Sequence, residues 1–189
     1  EINLPTKPLK HMHDEEGEIA LCTLSAINWG TIRTPEEFAK PCELAVRGLD
    51  ALLDYQRYPV LAAEISTNNR RPLGVGIINF AYWLAKNDTN YSNPDLKLID
   101  EWAEAWSYHL IKASNVLAQE KGACPLSNET KYGNGILPID TYKPEVDELV
   151  KRKYKQNWKG LREDLKEHGI RNSTLTVSYT HLTLPTTSM

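Results

Sequence analysis

No stretch of this 189-residue sequence approaches the roughly 18 consecutive apolar residues that a membrane-spanning helix needs. The chain opens Glu1-Ile2-Asn3-Leu4-Pro5, without a basic segment leading into an apolar one, so the sequence predicts no secretory signal. Cysteine is scarce: there are 3, an odd number without the spacing of a disulfide framework. That usage points to a reducing compartment and a cytoplasmic location. The Asn-x-Ser/Thr triplets at Asn87, Asn90, Asn128 and Asn172 are then read as chance, since glycosylation needs the secretory route. Charge of one sign is lacking as well. Lys plus Arg is 22 against Asp plus Glu 25, a net charge of -3, which carries no footprint for nucleic acid or an anionic membrane. A dinucleotide fingerprint is missing, because Gly74-x-Gly76 has Asn79 where the third glycine belongs. No internal repeat stands out.

What remains is ordinary globular material, 41% hydrophobic and 25% charged, of a length that suits one domain or part of a larger one. Ile19–Leu24 is a short uncharged run between the acidic Asp14-Glu15-Glu16-Gly17 and the turn residues Asn28 and Gly30, which predicts a strand buried on both faces. It carries Cys22, and the residues alone leave open whether that thiol packs or reacts. Thr34-Pro35-Glu36-Glu37 is a capping box with proline at the first helical position. The helix it opens places Phe38, Cys42, Ala45, Leu49 and Leu52 on one stripe, with Cys42 as a small core hydrophobe. Pro59 to Asn69 reads as a connection. Leu73–Ile78 reads as a second strand running into a helix over 79–86, a tight junction for which the two glycines suffice.

Asn93-Pro94 starts the longest helix, which Gly122 stops after Lys121. Its stripe is Leu98, Trp102, Trp106, Leu110, Ala113 and Leu117, read as core. Gly133 to Tyr142 is a loop, and the basic run over 151–155 is a solvated face. Asn157 caps a last helix to His168, and Ile170 to Leu175 is a third strand. His11 and His13 could begin a metal site, but no third ligand is evident, so they read as solvated loop histidines. The alternation predicts an α/β fold with a mainly parallel sheet.

A series of motifs in one order gives these elements a further meaning. Glu1-Ile2-x-Leu4-Pro5-Thr6 is followed by Gly17–Ala26, then Leu49–Gln56 and Arg70–Gly76. Gly122-Ala123-Cys124-Pro125, Gly135–Tyr142 and Arg171–Leu175 complete it. Together they resemble the catalytic core of the large subunit of class I ribonucleotide reductases. The resemblance implies a partial catalytic barrel domain over 1–175, namely part of the second half of a ten-stranded α/β barrel, incomplete here. It places the start of the chain just after the loop that bears the radical cysteine. The segment TVSYTHLTLPTTSM, residues 176–189, departs from the pattern and reads as an unstructured translated linker or adaptor.

The resemblance also assigns chemistry. Reduction of a ribose 2′-hydroxyl in that family uses a cysteine thiyl radical, a base for the 3′-hydroxyl and a redox cysteine pair. Glu1 aligns with the base, which contacts substrate, and Cys22 with the second cysteine of the redox pair, whose partner is absent from the chain. Cys124 matches a motif but none of the redox cysteines. No cofactor is implied in this chain and no metal site. The parent would take its radical from a small metal-containing subunit, bind nucleotide effectors, draw electrons from thioredoxin or glutaredoxin, and form a homodimer. Two alternatives stay open: a cobalamin-dependent reductase sharing the barrel, the glutamate and the cysteine pair, and a non-catalytic helical or α/β binding module in which Cys22 merely packs. Taken by itself, the chain is predicted to be inactive and marginally folded. Burial at about 25 cal/mol per Å² must offset roughly 1–2 kcal/mol of backbone entropy per residue, and missing partner strands remove burial. Circular dichroism of the chain in isolation should show helix without a cooperative melt; a sharp reversible transition overturns that expectation.

Overall fold

The computed structural model describes residues 14–151 and 153–176, so Glu1, His11, His13 and nearly all of the tail lie outside the described residues. Eight helices and strands position the rest. They are β1 (Thr23–Asn28), α1 (Ala39–Tyr55), α2 (Leu61–Arg70), β2 (Leu73–Ile78), α3 (Phe80–Lys86), α4 (Leu96–Lys121), α5 (Glu145–Val150) and α6 (Trp158–His168). The two strands are parallel, in register from Thr23 opposite Leu73 to Asn28 opposite Ile78. Parallel neighbours need a crossover between them, which α1 and α2 supply. The expected third strand is reduced to its end. The Leu73 and Val75 N–H groups donate to the Thr174 and Leu175 carbonyls at 3.0 and 2.8 Å, and Val75 bridges Thr176 in parallel. The α/β pattern expected from the sequence is present.

The first strand lies further along the chain than Ile19–Leu24 predicts, since only Thr23 and Leu24 of that run pair with β2. The reason is upstream: Glu18 bonds Arg70 and the Ile19 N–H donates to the Ala62 carbonyl, so this stretch is tied to α2 instead of the sheet. Nor is β1 buried on both faces. Ile27, Leu73 and Val75 belong to the core, while Leu24 and Ile78, on the other face, are 42% and 49% exposed.

Helix α1 also starts later than its capping box suggests. Pro35–Phe38 forms a 3-10 turn, Thr34 makes no side-chain cap bond, and Glu37 accepts instead from the Arg33 N–H at 2.9 Å. Pro41 explains this, because it lacks the N–H that an α-helix beginning at Pro35 would direct to Glu37. The buried stripe is Phe38, Cys42, Val46, Leu49 and Leu53, with Ala45 half-buried and Leu52 turned out to solvent. Helix α2 occupies what the sequence marks as a connection. Ser66, Thr67, Asn68 and Asn69 compete for backbone bonds and disfavour helix locally, so the burial of Ala62, Ala63, Ser66 and Thr67 is what holds it. Helix α5 likewise forms where the sequence marks no element.

The long helix α4 is capped by Asp95, whose carboxylate accepts from the Leu98 N–H at 3.0 Å, and ends at Gly122 with φ 89°. Its Trp102 joins Trp29, Phe38 and Trp83 in a ring cluster with centroids 4.9 to 5.9 Å apart. Asn157 caps α6 as predicted, accepting from the Gly160 N–H. The basic run is less free than expected: the buried carboxylate of Glu104 receives the Lys155 and Gln156 N–H groups at 3.0 Å and the Trp158 indole N–H at 2.8 Å.

One polar cluster joins sheet and helices. Asp50 of α1, fully buried, accepts from Arg71 Nε at 2.7 Å, Arg171 Nε at 3.3 Å and Asn172 Nδ2 at 3.1 Å. Arg71 also reaches Asp54 at 2.8 Å, and Asn172 accepts from the Ser114 hydroxyl at 2.8 Å. Breaking a buried pair strands the other charge, so Asp50→Ala should cost about 3–5 kcal/mol. Leu52→Ala, at an exposed position, should cost well under about 1 kcal/mol. Paired denaturant titrations of the two variants check the contrast.

Candidate functional site

The candidate site is the head of β1. Cys22 lies one residue before the strand, and by the alternation of strand side chains it shares the parity of Leu24 and Ala26, the face opposite the Ile27, Leu73 and Val75 core. On the neighbouring strand the same face is lined by Gly74 and Gly76, opposite Leu24 and Ala26, so no side chain from β2 fills it there. At its far end Asn79, with φ 62°, turns β2 directly into α3. That geometry is the tight strand-to-helix junction read from the two glycines, with a left-handed asparagine at the turn.

The three thiols differ in setting. All are free cysteines. Cys42 is fully buried, its thiol 3.9 Å from the Trp106 carbonyl, and burial pushes its pKa up to about 12. Cys124 is also buried, and burial carries it up to about 11 against the pull of Arg171. Both fit a packing role. Cys22 is half-buried, and burial raises its pKa too. The raised pKa keeps the thiol protonated near neutral pH.

The lead-in to Cys22 is anchored by a pair that sequence reading did not single out. The Glu18 carboxylate accepts from Arg70 Nε at 2.6 Å and Nη2 at 3.3 Å, with both residues buried. The Glu18 hydrogen bond holds the Arg70 guanidinium above its ordinary pKa, against the opposing effect of burial. The signal was present: an acid directly before an apolar run, and two adjacent arginines ahead of a strand, each need a partner once buried. A separate cavity of about 580 Å³ lies beside residues 173–176, bounded by Arg70, Lys131, Tyr132 and Thr141. Among the described residues no group of three or more His, Cys, Asp or Glu is arranged to hold a metal ion. No described helix is long and apolar enough to cross a membrane. Glu1 lies outside the described residues.

A parallel α/β layer presenting a half-buried thiol at a strand end defines a class of domain, and comparison with known proteins gives the family. Residues 1–188 match the family model described as ribonucleotide reductase, barrel domain. The chain belongs to that family. It is 56% identical over 177 residues to the ribonucleoside-diphosphate reductase subunit alpha of Haemophilus influenzae, covering 93% of this chain and 23% of that relative. The subunit alpha of Enterobacteria phage T4 is 44% identical over 180 residues, again 93% of this chain and 23% of the relative. The ribonucleoside-diphosphate reductase 1 subunit alpha of Escherichia coli is 55% identical over 124 residues, 65% of this chain and 16% of the relative. The chain therefore spans about a quarter or less of the length of these relatives.

Exposure orders the thiols. Under native conditions a thiol reagent should modify Cys22 first, with Cys42 and Cys124 protected until denaturant is added. Because its pKa is raised, the thiolate of Cys22 is scarce at neutral pH, and its labelling rate should still be climbing above the ordinary thiol value of about 8.5. Peptide mapping of label across a pH series measures both.

Proposed function

We propose that the chain is part of the catalytic subunit of a ribonucleoside-diphosphate reductase, and that Cys22 is one of two thiols that supply its electrons. The observation that carries the reading is that Cys22, unlike the buried Cys42 and Cys124, is only half-buried and stands at the head of a strand. In the reaction, two thiols close to one disulfide. Their two electrons and two protons replace the 2′ C–OH bond of the ribose by C–H and release water. A thiyl radical elsewhere in the subunit removes the 3′ hydrogen and returns it. Glu1 takes the 3′-hydroxyl proton, a role that needs only a carboxylate within hydrogen-bond reach.

The exposed Leu24 and Ile78 on one sheet face and the bridge at Thr176 support placing the chain in one half of a ten-stranded barrel whose remaining strands lie elsewhere in the subunit. Substrate is then a ribonucleoside diphosphate. A small radical-generating subunit with its metal is the partner, thioredoxin or glutaredoxin restores the dithiol, nucleotides act as effectors, and a homodimer in the cytoplasm is the working form. The name subunit alpha, shared by the relatives, favours this two-subunit enzyme over a cobalamin-dependent one and over a non-catalytic module. The tail, set at 176–189 by the sequence, is proposed to be foreign to the domain from residue 177 onward, since Thr176 still bridges Val75.

Substitution in the full-length subunit tests the roles. Cys22→Ser should abolish multiple turnover, while Cys42→Ser should leave it nearly intact. Glu1→Gln should lower kcat by about 10²- to 10⁴-fold, the usual worth of a general base. Steady-state assays with the small subunit and a dithiol reductant read all three, and retention of turnover by Cys22→Ser refutes the assignment.

A further inference from the structure

Cys22 sits between two fixed points. Downstream, Thr23 begins β1 and pairs with Leu73. Upstream, Glu18 and Ile19 are tied to α2, the first through the Arg70 fork and the second through the Ala62 carbonyl at 3.1 Å. Arg70 is itself held from several sides. It is the last residue of α2, its carbonyl accepts from the Ser173 N–H at 2.9 Å, and Glu129 lies 3.6 Å from its guanidinium. Taking both charges of such a pair out of water is costly, and apolar side chains of the same volume would hold a loop as well or better. What apolar side chains lack is direction: a guanidinium fork fixes the orientation of the carboxylate it binds.

We propose that the Glu18–Arg70 ion pair is a positioning device for Cys22, setting the height of the chain at the head of β1 so that the thiol meets its partner thiol. The proposal rests on the redox role of Cys22 argued above. A disulfide needs Cα atoms within about 4.4–6.8 Å. A slip of one residue moves a strand by about 3.3 Å and turns its side chains to the other face, which breaks that geometry. The pair sits before the first ladder residue, at the end of β1 next to Cys22.

The test uses the full-length subunit carrying Glu18→Gln, with Cys22→Ser in parallel. Glu18→Gln should lower kcat by about 100-fold, the scale of a 1 Å misplacement, and leave KM within about twofold. Native labelling of Cys22 should accelerate while Cys42, buried on α1, stays protected; global loosening would expose both. Glu18→Asp should recover part of kcat. A Glu18→Gln subunit with a lowered melting temperature but unchanged kcat and an unchanged ratio of Cys22 to Cys42 labelling overturns the proposal. If Glu18→Gln does not fold, Arg70→Lys, which keeps the charge and loses the fork, must give the same split, and failure of both to fold overturns it equally. Loss of turnover in Cys22→Ser with full activity in Glu18→Gln rejects the positioning role alone; full activity in Cys22→Ser rejects the redox reading.

Discussion

The adjacent arginines at the end of α2 hold this structure together. Arg71 takes the left-handed conformation, with φ 46°, and its N–H closes the helix on the Thr67 carbonyl at 2.7 Å. That turn sends successive side chains to different places. Arg70 reaches back to Glu18 ahead of β1, and Arg71 reaches Asp50 and Asp54 on α1. The same two residues anchor the C-terminal segment. Ser173 donates to the Arg70 carbonyl at 2.9 Å and Asn172 to the Arg71 carbonyl at 3.1 Å. Four segments distant in sequence are thereby brought to the N-terminal edge of a small sheet. Burial lowers the pKa of Arg71, but the Asp50 and Asp54 carboxylates outweigh it and leave the guanidinium above its ordinary value. Asp54, more exposed, is lowered in turn by the same contact. The charges are thus satisfied within the protein, a condition for their burial.

Around that polar edge the packing is conventional. Helix α1 lies against both strands and against α4, and the aromatic rings of Trp29, Phe38, Trp83 and Trp102 fill the space at the other end. The division has a functional consequence. The sheet face turned to the helices carries the large residues Ile27, Leu73 and Val75, whereas the opposite face offers Leu24, Ala26 and two glycines. A face floored by glycine admits close approach of another backbone or a ligand. That face is also the one whose parity Cys22 shares.

Several features were legible in the sequence because they depend on local chemistry. The glycine after Lys121, the asparagine before Trp158 and the period of the α4 stripe describe their helices closely, since caps and periodicity act within a turn or two. Leu73–Ile78 was found as a strand because its apolar run is bounded by arginine and proline on one side and asparagine on the other. The ordered motifs also sufficed to point to the family, because identity of residues survives without knowledge of their placement.

Tertiary structure decided the rest, where local signals were weak or in conflict. Residues 61–70 have mediocre helix propensity, and only burial of one face against the body of the domain makes them α2. The 3-10 start of α1 follows from a proline that lies inside the expected first turn. The shift of β1 away from Ile19–Leu24 is the clearest case. Apolar content marked the run as buried strand, but register depends on which backbone groups find partners, and Glu18 and Ile19 find theirs on α2. The sequence by itself determined the helix caps, the second strand, the identity of Cys22 and its family context. Only the fold decided that Cys22 stands at the head of a strand and half-exposed. It also decided that a buried ion pair, remote in sequence, holds the chain there, because partners brought together across the fold leave no periodic trace along it.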